Sequence, residues 1–281
     1  MNVHRIAAFS SGTDGGNPAG VVIADTLPDR ARMQAIAHEV GYSETAFAAP
    51  AADGAAWTVR YFAPEQEVPF CGHATIALGT VLGRLHGPGT YDLNLSRDAI
   101  TVSAHPEGDL WAAELRSPPT RSAPLDADLR DSLLDLFHLA PSDLDPRLPP
   151  TLASGGATHA LLALKDRAKL AAMSYDFETG RRLMLDHGLV TISLLHITSN
   201  IAFAARNAFA FGGVVEDPAT GAAAAALGGA LVDQDWPGLS GGGTVTIRQG
   251  DDMGIPAVLT VTVTGHAGDP VRVGGTARII T

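Results

Sequence analysis

The chain has 281 residues, 46% of them hydrophobic and 17% charged, with 19 basic against 30 acidic side chains and a formal charge of −11. That length supports one large domain or two ordinary ones, and the apolar content excludes a disordered or fibrous chain. The longest basic cluster is the pair Arg181-Arg182, which leaves nucleic acid without an electrostatic footprint.

No run approaches about 18 consecutive strongly apolar residues, and the N-terminal run is too short for a signal peptide, so no membrane segment is expected. Cys71, the single cysteine, cannot form an internal disulfide. This fits a reducing compartment and makes the cytoplasm the expected location.

In chain order, Met33, Ile36, Ala37 and Val40 recur at helical spacing after Pro28. Residues 57–62 alternate as a strand, residues 73–85 read as a helix apolar all round, and residues 99–103 as a strand. The Pro118-Pro119 pair makes 116–121 the linker candidate, because adjacent prolines favour extended backbone and end strand or helix on either side. Leu129, Leu133, Leu134 and Phe137 predict another helix before Pro141. Residues 219–232 repeat the all-round apolar pattern, and strands follow at 244–247 and 258–263. The predicted division is 1–122, completed by a last strand at 271–281, and 123–270.

The two apolar segments match. Gly72-His-Ala-Thr-Ile-Ala-Leu-Gly79 and Gly221-Ala-Ala-Ala-Ala-Ala-Leu-Gly228 share G-x-A-x-x-A-L-G, each after a strand carrying an arginine and then an aromatic residue, Arg60 with Phe62 and Arg206 with Phe209. A helix without a polar face belongs inside a structure, and its small residues suit close backbone neighbours. The expectation is α+β: two similar domains, each a mixed β-barrel-like shell around a central apolar helix. A buried helix start offers unpaired backbone N–H groups and the positive end of its dipole to a carboxylate or oxyanion. An approximate two-fold would turn both starts toward one active cleft between the domains.

Three ionisable residues lie near these starts or on a neighbouring apolar strand. Glu44, in Ser43-Glu-Thr-Ala-Phe47, would be partly desolvated if it points inward, which suits a group that takes and returns a proton; otherwise it is a solvated edge residue. His73 sits in the first turn of an apolar helix, where the dipole favours a neutral ring; a lone histidine there is more often structural. Asp217, in Glu216-Asp-Pro-Ala-Thr-Gly221, is a ligand group or an N-cap or Asx-turn residue. Cys71 beside a helix start is either a reactive thiol or, as favoured here, a buried apolar residue. The glycines at 12–16 lack P-loop and Rossmann spacing. No His pair has metal-ligand spacing, so no metal or cofactor is expected.

As a set, Asn17-Pro-Ala-Gly-Val-Val22, Ser43-Glu-Thr-Ala-Phe47, Arg60-Tyr-Phe-Ala-Pro64, Cys71-Gly-His-Ala-Thr75, Glu216-Asp-Pro-Ala-Thr-Gly221, Gln249-Gly250 with Met253-Gly254, and Val273-Gly-Gly275 resemble the PhzF (phenazine biosynthesis-like) family over essentially the whole chain. The resemblance implies a diaminopimelate-epimerase-like fold and isomerisation of a small carboxylic acid by proton transfer, with neither cofactor nor metal. It implies catalytic roles for Glu44, His73 and Asp217. Ser43, Gly72, Ala74, Gly221 and Ala222 match substrate-binding positions, and a homodimer is implied. Two departures stand out: Ala222 where the family usually has Ser after D-P-A-T-G, and Gly254-Ile-Pro-Ala257 where a basic residue is usual. Two further readings stay open, a two-thiol racemase or epimerase and a ligand-binding member without catalysis.

Overall fold

The computed structural model describes residues 1–52, 54–96 and 99–281. The chain forms two compact units, Met1–Arg116 with Gly274–Thr281, and Ser117–Val273.

The first unit contains β1 (His4–Ala8), β2 (Asn17–Ile23), α1 (Arg30–Val40), β3 (Glu44–Pro50), β4 (Trp57–Phe62), β5 (Glu67–Val68), α2 (Gly72–His86), β6 (Gly89–Asn94), β7 (Ala99–Glu107) and β8 (Leu110–Pro119) up to Arg116. Pairing runs β1–β2–β3–β4–β6–β7–β8, parallel at β2–β3 and β4–β6 and antiparallel elsewhere. The chain's last strand pairs with both β1 and β8 and closes the ring into a barrel. Asp29 caps α1 by accepting from the Arg32 N–H, and Gly41, left-handed at φ 71°, ends it. Met33, Ile36, Ala37 and Val40 then pack with Val22, Phe47 and Phe62 outside the barrel.

The second unit contains β9 (Arg121–Pro124), α3 (Ala127–Leu136), β10 (Thr151–Ser154), β11 (Thr158–Leu164), α4 (Arg167–Ala171), α5 (Phe177–Asp186), β12 (Thr191–Ser199), β13 (Ala202–Ala208), β14 (Glu216–Asp217), α6 (Gly221–Asp233), β15 (Gly243–Gln249), β16 (Ala257–Val263) and the first residues of β17 (Pro270–Ile279). Its pairing is β9–β10–β11–β12–β13–β15–β16, parallel at β11–β12 and β13–β15. The sequence of connections repeats that of the first unit. In each, a parallel crossover is followed by an antiparallel neighbour, a two-residue return strand and a second parallel crossover through an apolar helix.

Residues 73–83 of α2 are buried without a break, against β1, β2, β3, β6 and β7. In α6, Gly221 and residues 223–231 are buried, against β9, β10, β11 and β16. The glycine ending G-x-A-x-x-A-L-G lets each helix touch its shell. A Cβ on Gly79 would lie 2.6 Å from Val102, and one on Gly228 would lie 2.6 Å from Val261. The repeat also extends upstream, as Glu67-x-Pro69-x-x-Gly72 and Glu216-x-Pro218-x-x-Gly221. Each Glu takes a two-pronged bond from the strand arginine, Arg60 at 2.7 and 2.6 Å and Arg206 at 2.9 and 2.5 Å.

Two expectations are corrected. Residues 116–121 are not a coil linker: β8 runs through both prolines to Pro119 and β9 resumes at Arg121, since extended proline backbone is compatible with strand. The second apolar helix begins at Gly221. Ala219 and Thr220 precede it, with Thr220 extended at φ −113°, ψ 91°, because the Pro218 connection from β14 turns before the helix starts.

Candidate active site

Of the six α-helices among the described residues, α1, α3, α4 and α5 begin behind Asp29, Asp126, Asp166 and Asp176, whose carboxylates accept first-turn N–H bonds. The two apolar helices differ. Neither Cys71 before α2 nor Thr220 before α6 makes a side-chain cap bond. First-turn N–H groups that no cap takes are donors for an anion, reinforced by the helix dipole.

Around the α2 start, the structure brings together Ser43, Glu44, Cys71 and His73. Glu44 opens β3 in register with Ala19 of β2, and its side chain keeps 18% exposure. Its Oε2 lies 3.4 Å from Nε2 of His73, which is buried on the second residue of α2. Ser43 Oγ is 3.2 Å from the same nitrogen, and Cys71 Sγ is 3.4 Å from Nδ1 and 3.9 Å from Nε2. Ligand-capable atoms of Glu44, Cys71 and His73 all fall within 4.8 Å of one another.

A buried clamp fixes the helix start. Thr75 Oγ1 donates to the Cys71 carbonyl at 2.7 Å, so its other contact, Tyr61 OH at 2.6 Å, is the one in which the phenol donates. Burial pushes the Tyr61 phenol up, which keeps it a neutral donor. A carboxylate beside an imidazole at an uncapped helix start can take a proton from an acid whose own carboxylate the N–H groups hold.

At the second helix start, Thr220 Oγ1 donates to Asp217 Oδ2 at 2.5 Å. Gln249 Nε2 donates to the Asp217 carbonyl at 2.7 Å and to Thr220 Oγ1 at 3.1 Å, while the Thr220 N–H donates to Gln249 Oε1 at 3.2 Å. The Asp217 carboxylate and carbonyl are thus both engaged by the turn that leads into α6. Gly72 and Gly221 are the first residues of their helices. Ala74 is fully buried, so only its backbone N–H is suited to a ligand, and Ala222 is half-buried. Sequence reasoning undervalued Cys71, which is buried, as favoured, and also in contact with the histidine. It left Thr220 and Gln249 without roles. The adjacency in Cys71-Gly-His73 was the available signal for the first; the link to Gln249 spans 29 residues and had none.

Comparison with known proteins gives one consistent answer. A family model described as phenazine biosynthesis-like protein, PhzC-PhzF, matches residues 6–281. A protein of Escherichia coli K12 named "Uncharacterized isomerase YddE" is 32% identical over 287 residues, covering 99% of this chain and 96% of its own. Among solved structures, the Bacillus anthracis PhzF-family phenazine biosynthesis protein superposes with a TM-score of 0.88 at 22% identity, covering 100% of this chain and 97% of the other. A predicted epimerase of Pseudomonas aeruginosa gives 0.83 at 25% identity, covering 99% and 96%.

Proposed function

The chain belongs to the PhzC-PhzF family of phenazine biosynthesis-like proteins, and from that premise we propose that it is an isomerase moving a proton on a small carboxylic acid, with Glu44 as the shuttling base. The observation that carries this reading is the Glu44 carboxylate 3.4 Å from His73 Nε2 beside an uncapped, buried helix start. Relatives named as isomerases at about one-third identity support the reaction class.

In the proposed reaction, the substrate carboxylate accepts from first-turn N–H groups, which stabilise the charge that develops when a carbon-bound proton leaves. Glu44 takes that proton, the electron pair shifts within the substrate, and Glu44 or His73 returns a proton at a second position or face. Ser43, within reach of His73 Nε2, holds the ring. Asp217, fixed by Thr220 and Gln249, is proposed to bind an amine or hydroxyl of the substrate. The proposed reaction uses groups of the chain itself, side chains and backbone N–H, with no cofactor. Ala222 supplies no hydroxyl at the start of α6, where the resemblance leads one to expect serine.

A two-thiol racemase needs a cysteine on each side of the reacting carbon, and the sequence has one. Full activity in Cys71→Ala would remove a thiol mechanism altogether. The proposal is tested by thermal unfolding against a panel of small unsaturated and amino carboxylic acids, because a ligand of the folded state raises the midpoint with concentration. The expected hit is converted to an isomer of equal mass. Saturable binding of hits with no product and no exchange of carbon-bound hydrogen would instead favour the binding-only reading.

A further inference from the structure

We propose that Cys71 is a positioning residue for His73: its thiol donates to Nδ1 and fixes the ring as the tautomer that carries its proton on Nε2. The two ring nitrogens meet different partners. Nε2 lies 3.4 Å from Glu44 Oε2 and 3.2 Å from Ser43 Oγ, whereas Nδ1 lies 3.4 Å from Cys71 Sγ and has no other hydrogen-bond partner among the described residues. A carboxylate oxygen only accepts, so the nitrogen facing it is the donor, and the Ser43 hydroxyl can accept from it as well. In a neutral imidazole the other nitrogen is then an acceptor, and the S–H beside it is the donor it meets. The ring is buried in the first turn of α2, where the positive end of the dipole opposes an imidazolium.

A thiol suits this place. Cys71 stands at the N-cap of α2 with extended backbone, φ −147° and ψ 117°, yet makes no side-chain cap bond. Sulfur is a weak acceptor, so it leaves the first-turn N–H groups to a ligand where Ser, Thr, Asp or Asn would take one. Its backbone is pinned from elsewhere: the Cys71 carbonyl accepts from Thr75 Oγ1 at 2.7 Å, and Tyr61 OH holds that hydroxyl at 2.6 Å. The thiol neither takes nor gives the substrate's proton in this arrangement. It keeps the Nε2 proton on Glu44 Oε2, which leaves Oε1 to meet the carbon-bound proton. The tautomer stands on the geometry alone, while this consequence for the reaction rests on the reading of Glu44 as the shuttling base.

The test is long-range proton–nitrogen correlation NMR of the full chain with ¹⁵N-labelled histidine, His73 being identified by its absence from His73→Gln. Wild-type protein should show Nε2 protonated and Nδ1 bare, and Glu44→Gln should show the same, because the thiol is intact. The double variant Cys71→Ala with Glu44→Gln should show a mixture of the two tautomers. With an acid found by thermal shift, Cys71→Ala should lower kcat about 10-fold with KM within about threefold, a smaller loss than the roughly 100-fold or more expected for an acid/base group. A proton on Nδ1 in the wild type, as the other tautomer or as an imidazolium, overturns the proposal whether or not the cysteine variants fold, and so does an unmixed Nε2–H tautomer in the double variant. Unchanged kcat in Cys71→Ala overturns the positioning role, as does complete loss, which would make the thiol a catalytic group. Wild-type turnover in Glu44→Gln with the tautomer intact would instead sink the reading of Glu44 and leave the thiol–imidazole bond standing.

Discussion

The starts of α2 and α6 are built on the same frame and carry different chemistry. Both follow E-x-P-x-x-G, both sit above a bidentate arginine–glutamate pair, and both lack a side-chain cap. Aligning the two glutamates through the sheet registers matches Phe62 with Ala208, Thr45 with Ile192, and so Glu44 with Thr191. In the first unit that strand position holds a carboxylate facing a histidine. In the second it holds a buried hydroxyl that bonds His159 Nδ1 at 2.8 Å, and His159 itself stands where the first unit has Ala19. The two halves thus share the scaffold at the helix start, while the contact between a carboxylate and a histidine at this strand position stands in the first unit.

The largest test of that asymmetry is activity. Glu44→Gln should lower turnover at least about 100-fold, as removal of an acid/base group does. Thr191→Val, at the matching position, should leave turnover within about threefold while costing about 1–3 kcal/mol in chemical denaturation, because it orphans the His159 N–H. Comparable losses of turnover in both would mean that the two positions are not chemically distinct.

Next comes the shared ion pair. Arg206 and Glu216 are 12% and 5% exposed, against 28% and 16% for Arg60 and Glu67. Glu216→Gln should cost about 3 kcal/mol by leaving a buried guanidinium short of its partner, and Glu67→Gln about 1 kcal/mol, read from denaturant midpoints. Equal costs would remove the difference in burial as an energetic fact.

A further test of the asymmetry is pH dependence. Burial pushes the His159 imidazole down to about 3. The unfolded chain takes up a proton below about pH 6.5 that the folded chain refuses, so this contribution is complete above that pH. As the pH falls toward 3 it is lost at roughly 1.4 kcal/mol per unit. Stability curves of His159→Phe should be flatter by that one proton over this window; an unchanged slope would place the protonation elsewhere.

Much of this frame was legible in the chain. The G-x-A-x-x-A-L-G repeat could be read because the same close contact, Gly79 on Val102 and Gly228 on Val261, imposes the same small residues twice. Strands such as 57–62 showed through alternation, since one face of each is buried. The upstream Glu67 and Glu216 were visible as letters, but their meaning needed the strand pairing that sets each beside its arginine. Pro118-Pro119 misled because extended proline backbone looks alike in a linker and a strand. At the site, Ser43 and Glu44 are about thirty residues from His73, a separation no local periodicity spans. The sulfur of Cys71 was hidden behind the ordinary tendency of cysteine to be buried.

The central claim is that Glu44 carries the proton. With an acid identified by thermal shift, the direct measurement is deuterium entry from D₂O into its carbon-bound positions, followed by NMR in wild-type protein and in Glu44→Gln. The account predicts exchange in the wild type and at least about a 100-fold slower rate in the variant at saturating ligand. Exchange at the wild-type rate without the carboxylate would contradict it.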